Sequence, residues 1–251
     1  MNQKLKELIH LYVHSKYMDV FGVLLILAVC YWRRFQETVY LNGDILFDTG
    51  SQFSELMDQG GFPLGYFSMG AAVISVLSGR FTAKQNNLGN VLGIIIAVTS
   101  GTLDYLFGNH SAIITYPITF GVATFATYKW STGIKIRKID TQYYLILIGA
   151  LVVAFALVHL GFYLFGGKTG VVFRNSVALI FGLSLAGNIS NAFKYQETWF
   201  NWMAYNVLQL IKNTLQLNFA NVVKYVFYMI SAVITYFDWK LNGDVTQRPT
   251  P

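Results

Sequence analysis

Apolar residues run along this chain in blocks of near-span length, separated by short polar breaks. The blocks fall at about 20–32, 63–80, 88–108, 111–130, 142–165, 171–193, 198–216 and 219–238. A helix crosses a bilayer with roughly 20 predominantly apolar residues. The pattern therefore predicts an all-α integral membrane protein with seven core helices and one additional N-terminal helix. Residues 1–61 form the first region: a helix expected to enter the membrane, then an acidic external loop carrying Asp44, Asp48, Glu55 and Asp58. An interfacial helix followed by a short span is the alternative for residues 1–35. Residues 62–240 form the core, and the polar tail 241–251 is expected to be disordered.

Composition narrows the class. The chain is 54% hydrophobic and 12% charged, with a mean hydropathy of +0.45, against an ordinary charged share near 25%. Its 251 residues leave no room for a separate soluble catalytic domain. The net charge of +6 reads as cytoplasmic-loop bias rather than nucleic-acid affinity, because no basic patch is interleaved with aromatics on a soluble face. Lys129, Lys135, Arg137 and Lys138 follow one core span, and Arg80 and Lys84 another. Both loops share a side if every block spans, so that side and the C-terminus are expected to be cytoplasmic. The single cysteine, Cys30, lies in an apolar run and suits a packed thiol.

The core carries a weak internal repeat. Lys84-Gln85 opens a two-span unit that closes at Trp130, and Lys194-Tyr195-Gln196 opens another that closes at Trp239. Each unit follows a further span. Repeat one is then 62–130, the linker helix 142–165 and repeat two 171–239, with the three-helix repeats parallel. Small residues at helical spacing, such as Gly89, Gly93, Ala97 and Gly101, suit close helix packing.

Chemistry concentrates in residues 196–213. At about 100° per residue, Trp199, Trp202, Asn206, Gln209 and Asn213 share one stripe, while Met203, Val207, Leu210 and Ile211 lie opposite. Amides left unpaired in hydrocarbon cost several kcal/mol, so the stripe must face protein or a water-filled cavity. Indoles offer stacking surfaces and amides offer uncharged donors and acceptors, a combination suited to an aromatic ligand with a polar appendage. The same stripe also fits helix packing with interfacial tryptophans. Gln85, Asn87 and Asn90, at the polar start of the first unit, are expected opposite the tryptophans through the repeat.

Other signals lead nowhere. Gly166-Gly167-Lys168-Thr169 has Phe162 where a phosphate loop needs glycine. His10 and His14 are one turn apart, with no neighbouring group in sequence to complete a metal site. Asp104 and Glu197 lie near segment ends, and Lys212, Lys224 and Arg174 can snorkel to an interface. No nucleophile–base pair, metal ligand set or cofactor motif is evident. Without paired carboxylates for a proton relay, a passive carrier fits better than a pump.

The run Trp199-Phe200-Asn201-Trp202 followed by Asn206 resembles the W-x-x-W-x-x-x-N signature of the Pnu family of bacterial vitamin-precursor transporters, and the likeness extends over about 62–240. The resemblance implies a SWEET-like 3+1+3 bundle in the inner membrane, assembled as a homotrimer. It implies facilitated diffusion of an unphosphorylated vitamin precursor or nucleoside, with nicotinamide riboside leading, trapped by a cytoplasmic kinase. Deoxynucleosides, thiamine and riboflavin are the alternative cargoes of relatives. Trp199, Trp202 and Asn206 would line the substrate site; Gln209 and Asn213 extend it by helical geometry, and Gln85, Asn87 and Asn90 by the repeat. A membrane substrate-binding subunit of an ATP-driven vitamin importer and a ligand-free assembly protein are the competing classes.

Overall fold

The computed structural model describes residues 3–246, with side chains through Asn242. Its long helices are α1 (Gln3–His14), α2 (Lys16–Trp32), α4 (Leu64–Ala83), α5 (Leu88–Leu106), α6 (Ala112–Ser131), α7 (Thr141–Phe165), α8 (Val171–Ala192), α9 (Thr198–Leu215) and α10 (Phe219–Thr246), with a short α3 (Phe53–Asp58) before the core. The protein is an all-α integral membrane protein. Among the described residues, α4, α5, α7, α8 and α10 are each long and apolar enough to cross a membrane, and α1 with α2 meets the same measure as one bent pair. The remaining core helices, α6 and α9, have 20 and 18 residues, and the amides and hydroxyls they carry lower their hydropathy. α10 runs on to Thr246, so 241–246 are helical rather than a disordered tail; 247–251 lie outside the described residues.

The N-terminal segment is two helices bent by 55°. Ser15 makes the break: its backbone is extended (φ −66°, ψ 127°) and its hydroxyl accepts from the Met18 amide at 3.4 Å. The last carbonyls of a helix have no partner within it, and Arg80 supplies one from α4. Its guanidinium is 2% exposed and donates to Tyr12 O at 2.9 Å, Val13 O at 2.7 Å and Asp19 Oδ1 at 2.8 Å. Lys84 pairs with the same carboxylate.

The expected external loop is folded. Residues Val39–Leu41 and Asp44–Leu46 form an antiparallel hairpin, β1 and β2, turned at Asn42 (φ 53°) and Gly43 (φ 93°). Asn-Gly between short apolar strands is a strong hairpin signal because both central residues need positive φ, and it was present in the sequence. Phe62 pairs with Tyr40 through both backbone bonds, at 2.8 and 2.9 Å, bringing the chain back to start α4.

α4 to α6 and α8 to α10 repeat one another contact by contact. Each pair in the following comparison is 109 positions apart, except that the indole acceptors Ala83 and Asn191 are 108 apart. Gln85 and Lys194 are both left-handed (φ 58° and 53°), as are Gly108 and Leu217 (φ 93° and 54°). The Asn86 amide donates to Phe81 O and the Tyr195 amide to Ser190 O; the Asn109 amide donates to Asp104 O and the Asn218 amide to Asn213 O. Trp130 donates its indole N–H to Asn191 O at the end of α8, and Trp239 donates to Ala83 O at the end of α4, both at 2.8 Å. This register differs from the sequence alignment, which set Gln85 against Gln196; turn geometry sets it against Lys194. Outside the repeats, α7 packs on α8 and α6, while α2 packs on α4 and α10. The N-terminal helix thus occupies the place around one repeat that α7 occupies around the other.

Removing one partner from a buried charge network costs about 3–5 kcal/mol. Arg80→Ala is expected to cost that much and to lower the unfolding temperature of the detergent-purified protein. An unchanged unfolding temperature would mean that α1 and α2 hold their corner without Arg80.

Candidate functional site

A cavity of about 180 Å³ lies inside the core, enclosed by α4, α5, α6, α8, α9 and α10. At roughly 10–15 Å³ of free volume per water, it has room for on the order of ten waters or a small organic molecule. Neither α2 nor α7 contributes to its wall.

α9 supplies its most distinctive wall. Trp199, Trp202, Asn206 and Gln209 all line the cavity, while Val207 and Ile211 on the opposite side are 44% and 54% exposed and face outward. Trp202 lies edge-on to Tyr205, ring centroids 5.5 Å apart, and Trp199 lies edge-on to Trp239 at 5.5 Å. Gly187 on α8 admits the Trp202 indole: a β-carbon there would stand 3.1 Å from the ring. Gln209 donates to Tyr205 Oη at 2.9 Å, and Tyr205 meets Tyr225 of α10 at 3.4 Å between hydroxyls.

The stripe does not belong to the cavity along its whole length. Asn213 is buried but lies outside the lining, donating to Gln209 O at 2.8 Å and Gln209 Oε1 at 3.1 Å. It steadies the side chain that does reach the cavity. Of Gln85, Asn87 and Asn90, expected from the first repeat, Asn90 alone is in the lining, accepting from Asn191 Nδ2 at 2.8 Å. Asn87 is turned to the helix interface, donating to Thr127 O at 2.9 Å and accepting from Asn90 at 3.0 Å. Gln85 sits in the left-handed turn after α4, away from the lining. The two-position difference in register explains both misplacements, since Asn90, not Gln85 or Asn87, is the counterpart of Trp199.

Room for a ligand comes from inequality between the repeats. At the same spacing of 109, Trp202 corresponds to Gly93 and Asn206 to Ala97, and all four line the cavity. Large side chains on α9 therefore look across at small ones on α5. Four buried polar atoms on lining residues have no hydrogen-bond partner: Trp199 Nε1, Asn206 Oδ1, Asn191 Oδ1 and Arg80 Nη1. A buried polar group left unpaired costs about 1–3 kcal/mol, so these atoms call for water or a polar ligand.

Charge also enters the cavity: Asp104 lines it, and so do Lys212 and Lys224, in contrast to the snorkelling expected for the two lysines. Asp104 accepts from Lys212 Nζ at 2.6 Å, Tyr116 Oη at 2.9 Å and Asn109 Nδ2 at 3.2 Å. Lys224 on α10 is 4% exposed and lines the same space. It lies 4.3 Å from the Tyr225 ring centroid and has no ion pair among the described residues. An ionisable residue inside an apolar segment is a functional candidate by default, and that signal could have found Lys224 from sequence. Glu197 is buried outside the lining, accepting from Gln196 Nε2 at 2.7 Å.

Loops at one end of the bundle tie the repeats together. Arg137 exchanges backbone bonds with Lys194 and Gln196, at 2.9 and 3.0 Å. The Tyr195 hydroxyl donates to Asp140 Oδ1 at 2.7 Å. That bond holds the Asp140 carboxyl below its usual range, and burial pushes the tyrosine up to about 12. Burial also lowers the Lys194 ammonium, which rests 4.5 Å from the Trp130 ring centroid.

A family model described as nicotinamide mononucleotide transporter matches residues 65–241. The fold is similar to a crystal structure of the vitamin B3 transporter PnuC, with a TM-score of 0.62 and 14% identity, over 90% of this chain and 91% of that one. The comparison with curated proteins gave no match.

Asp104→Asn leaves Lys212 without its counter-charge beside Lys224. Because this pair is 18% and 12% exposed, the expected cost is on the order of 2 kcal/mol, between the ranges for exposed and buried pairs. Asp104→Asn with Lys212→Met is expected to recover most of that loss in thermal unfolding. A double variant no more stable than Asp104→Asn alone would mean the pair contributes nothing through charge.

Proposed function

From the premise that the chain belongs to the nicotinamide mononucleotide transporter family, and is a multi-pass membrane transporter rather than an enzyme, we propose that it carries an unphosphorylated vitamin precursor or nucleoside by facilitated diffusion. Nicotinamide riboside is the leading cargo. The observation that carries this reading is the pairing, in one cavity, of the Trp199 and Trp202 indoles with unpartnered amide and indole polar atoms. A flat ring would stack on the indoles, and a ribose or carboxamide would complete the open atoms Asn206 Oδ1, Asn191 Oδ1 and Trp199 Nε1. No paired carboxylates face the cavity among the described residues, which supports passive movement. Net uptake then needs a cytoplasmic kinase that phosphorylates the cargo on arrival.

The same reading places the protein in a bacterial inner membrane with the C-terminus cytoplasmic. Basic residues of several loops, including Lys84, Arg137 and Lys194, gather at the end of the bundle where the repeats are tied, and cytoplasmic loops are the Lys- and Arg-rich ones. A trimer is part of the proposal by family resemblance.

Lys224 favours a second reading of the cargo. With Lys212 paired to Asp104 and Arg80 to Asp19, the protonated Lys224 amine leaves the cavity one formal positive charge in excess. Like charges at close range in a low-dielectric site repel by several kcal/mol. A neutral deoxynucleoside or riboflavin avoids this repulsion, whereas the pyridinium of nicotinamide riboside and the thiazolium of thiamine meet it.

Uptake into proteoliposomes, with each unlabelled compound as competitor, separates the readings. Trp202→Ala is expected to weaken binding of the carried compound by about 1–3 kcal/mol, the range for loss of one aromatic stack on a base. Lys224→Met is expected to tighten a cationic cargo and to leave a neutral one unchanged. Unaltered affinity in Trp202→Ala would overturn the assigned site.

A further inference from the structure

His10 and His14 gain in three dimensions the partner they lack in sequence. α1 packs along the last turns of α10, which brings Asp238 against both imidazoles. His10 Nδ1 lies 3.0 Å from Asp238 Oδ1, and His14 Nε2 lies 3.6 Å from Asp238 Oδ2. The two rings are tilted by 36°, with centroids 4.2 Å apart. One ligand atom from each of the three residues falls within 4.8 Å of the others.

We propose that His10, His14 and Asp238 form a binding site for a divalent transition metal ion, zinc above all, that clips the N-terminal helix to the end of α10.

Bond lengths support the assignment. Zinc binds imidazole nitrogen and carboxylate oxygen at roughly 2.0–2.2 Å, and a tetrahedral arrangement then sets ligand atoms about 3.3–3.6 Å apart. The distances in the cluster span that separation, so an ion fits with small rotations of the side chains. The donors are two imidazoles and one carboxylate, which suit zinc, cobalt or nickel and lack the thiolate or thioether that softer copper(I) prefers.

Two features go beyond an ordinary histidine–aspartate ion pair. His14 Nε2 is buried and has no hydrogen-bond partner, so a ring nitrogen is directed at the carboxylate with nothing bound to it. Asp238 is 1% exposed, and its Oδ1 also accepts from Asn242 Nδ2 at 2.9 Å, the kind of supporting bond that orients a metal ligand. The histidines are 41% and 28% exposed, so an ion can enter from solvent, and the fourth position is open to water.

The site has a mechanical consequence. α10 lines the cavity with Lys224, Tyr225 and Tyr228 and carries Asp238 at its far end. α1 is already fixed to α4 by Arg80. A bound ion would tie α1 to both repeats, because α4 belongs to one and α10 to the other. This inference is independent of the cargo.

The test uses the tag-free, full-length protein in detergent, stripped with a chelator. Titration with Co²⁺ is expected to give the intense visible absorption of a four-coordinate ion at one equivalent, displaced by Zn²⁺. His10→Ala with His14→Ala is expected to abolish that signal, and Asp238→Asn to weaken binding by at least about tenfold. Zn²⁺ should raise the unfolding temperature of the native protein and leave that of the double-alanine variant unchanged. Absence of the Co²⁺ signal in native protein, or its persistence in the double-alanine variant, would overturn the proposal. Because the histidines sit on a partly exposed face of α1, the double variant is expected to fold, and its own unfolding transition verifies that.

Discussion

Hydrocarbon offers no hydrogen bonds, and this constraint organises the molecule. A helix carrying Asn206, Gln209 and Asn213 along one side can exist at membrane depth only if other helices cover that side. α8 and α10 pack on α9, α4, α5 and α6 stand across from its polar side, and the space between is the polar cavity. Where the cover is tight, the amides bond to protein, as Asn213 does to Gln209. Where it is loose, Asn206 Oδ1 and Trp199 Nε1 stay open. Covering a polar stripe and leaving a polar cavity beside it are here the same act of packing.

The two repeats make that enclosure possible and also break it open. Equivalent bonds fix the ends, most plainly the Trp130 indole on Asn191 and the Trp239 indole on Ala83. Each repeat thus caps the first helix of the other, and the two cannot drift apart without exposing a carbonyl and an indole N–H. Inside, equivalence is abandoned: Gly93 and Ala97 stand where the second repeat has Trp202 and Asn206. Symmetry holds the frame while asymmetry of side-chain size makes the cavity. α2 extends the frame by packing on α4 and α10 as α7 packs on α8 and α6.

Much of this was legible in the sequence, for physical reasons. Apolar blocks set the helices because a span must be apolar for its full length, and the stripe on α9 was visible because neutral amides are conspicuous in such a block. Asn213 was misread because spacing gives the face of a helix but not how far along it the cavity extends. Gln85 and Asn87 were misread because matching glutamines aligned the repeats two positions away from the register set by the left-handed residues Gln85 and Lys194. Asp104, Lys212 and Lys224 look like interfacial residues in one dimension; only the approach of α5, α9 and α10 makes them neighbours. The hairpin at Asn42-Gly43 was written in the chain and overlooked, whereas Asp238 reaches His10 only through the docking of α1.

Ligand binding at the indoles of α9 is the central claim, and tryptophan fluorescence reads it most directly. The detergent-purified protein would be titrated with nicotinamide riboside, thiamine, riboflavin and several deoxynucleosides. Saturable quenching by one of these, lost in Trp199→Ala or Trp202→Ala, is the expected result. Quenching that survives replacement of both tryptophans would contradict a cargo site on this stripe.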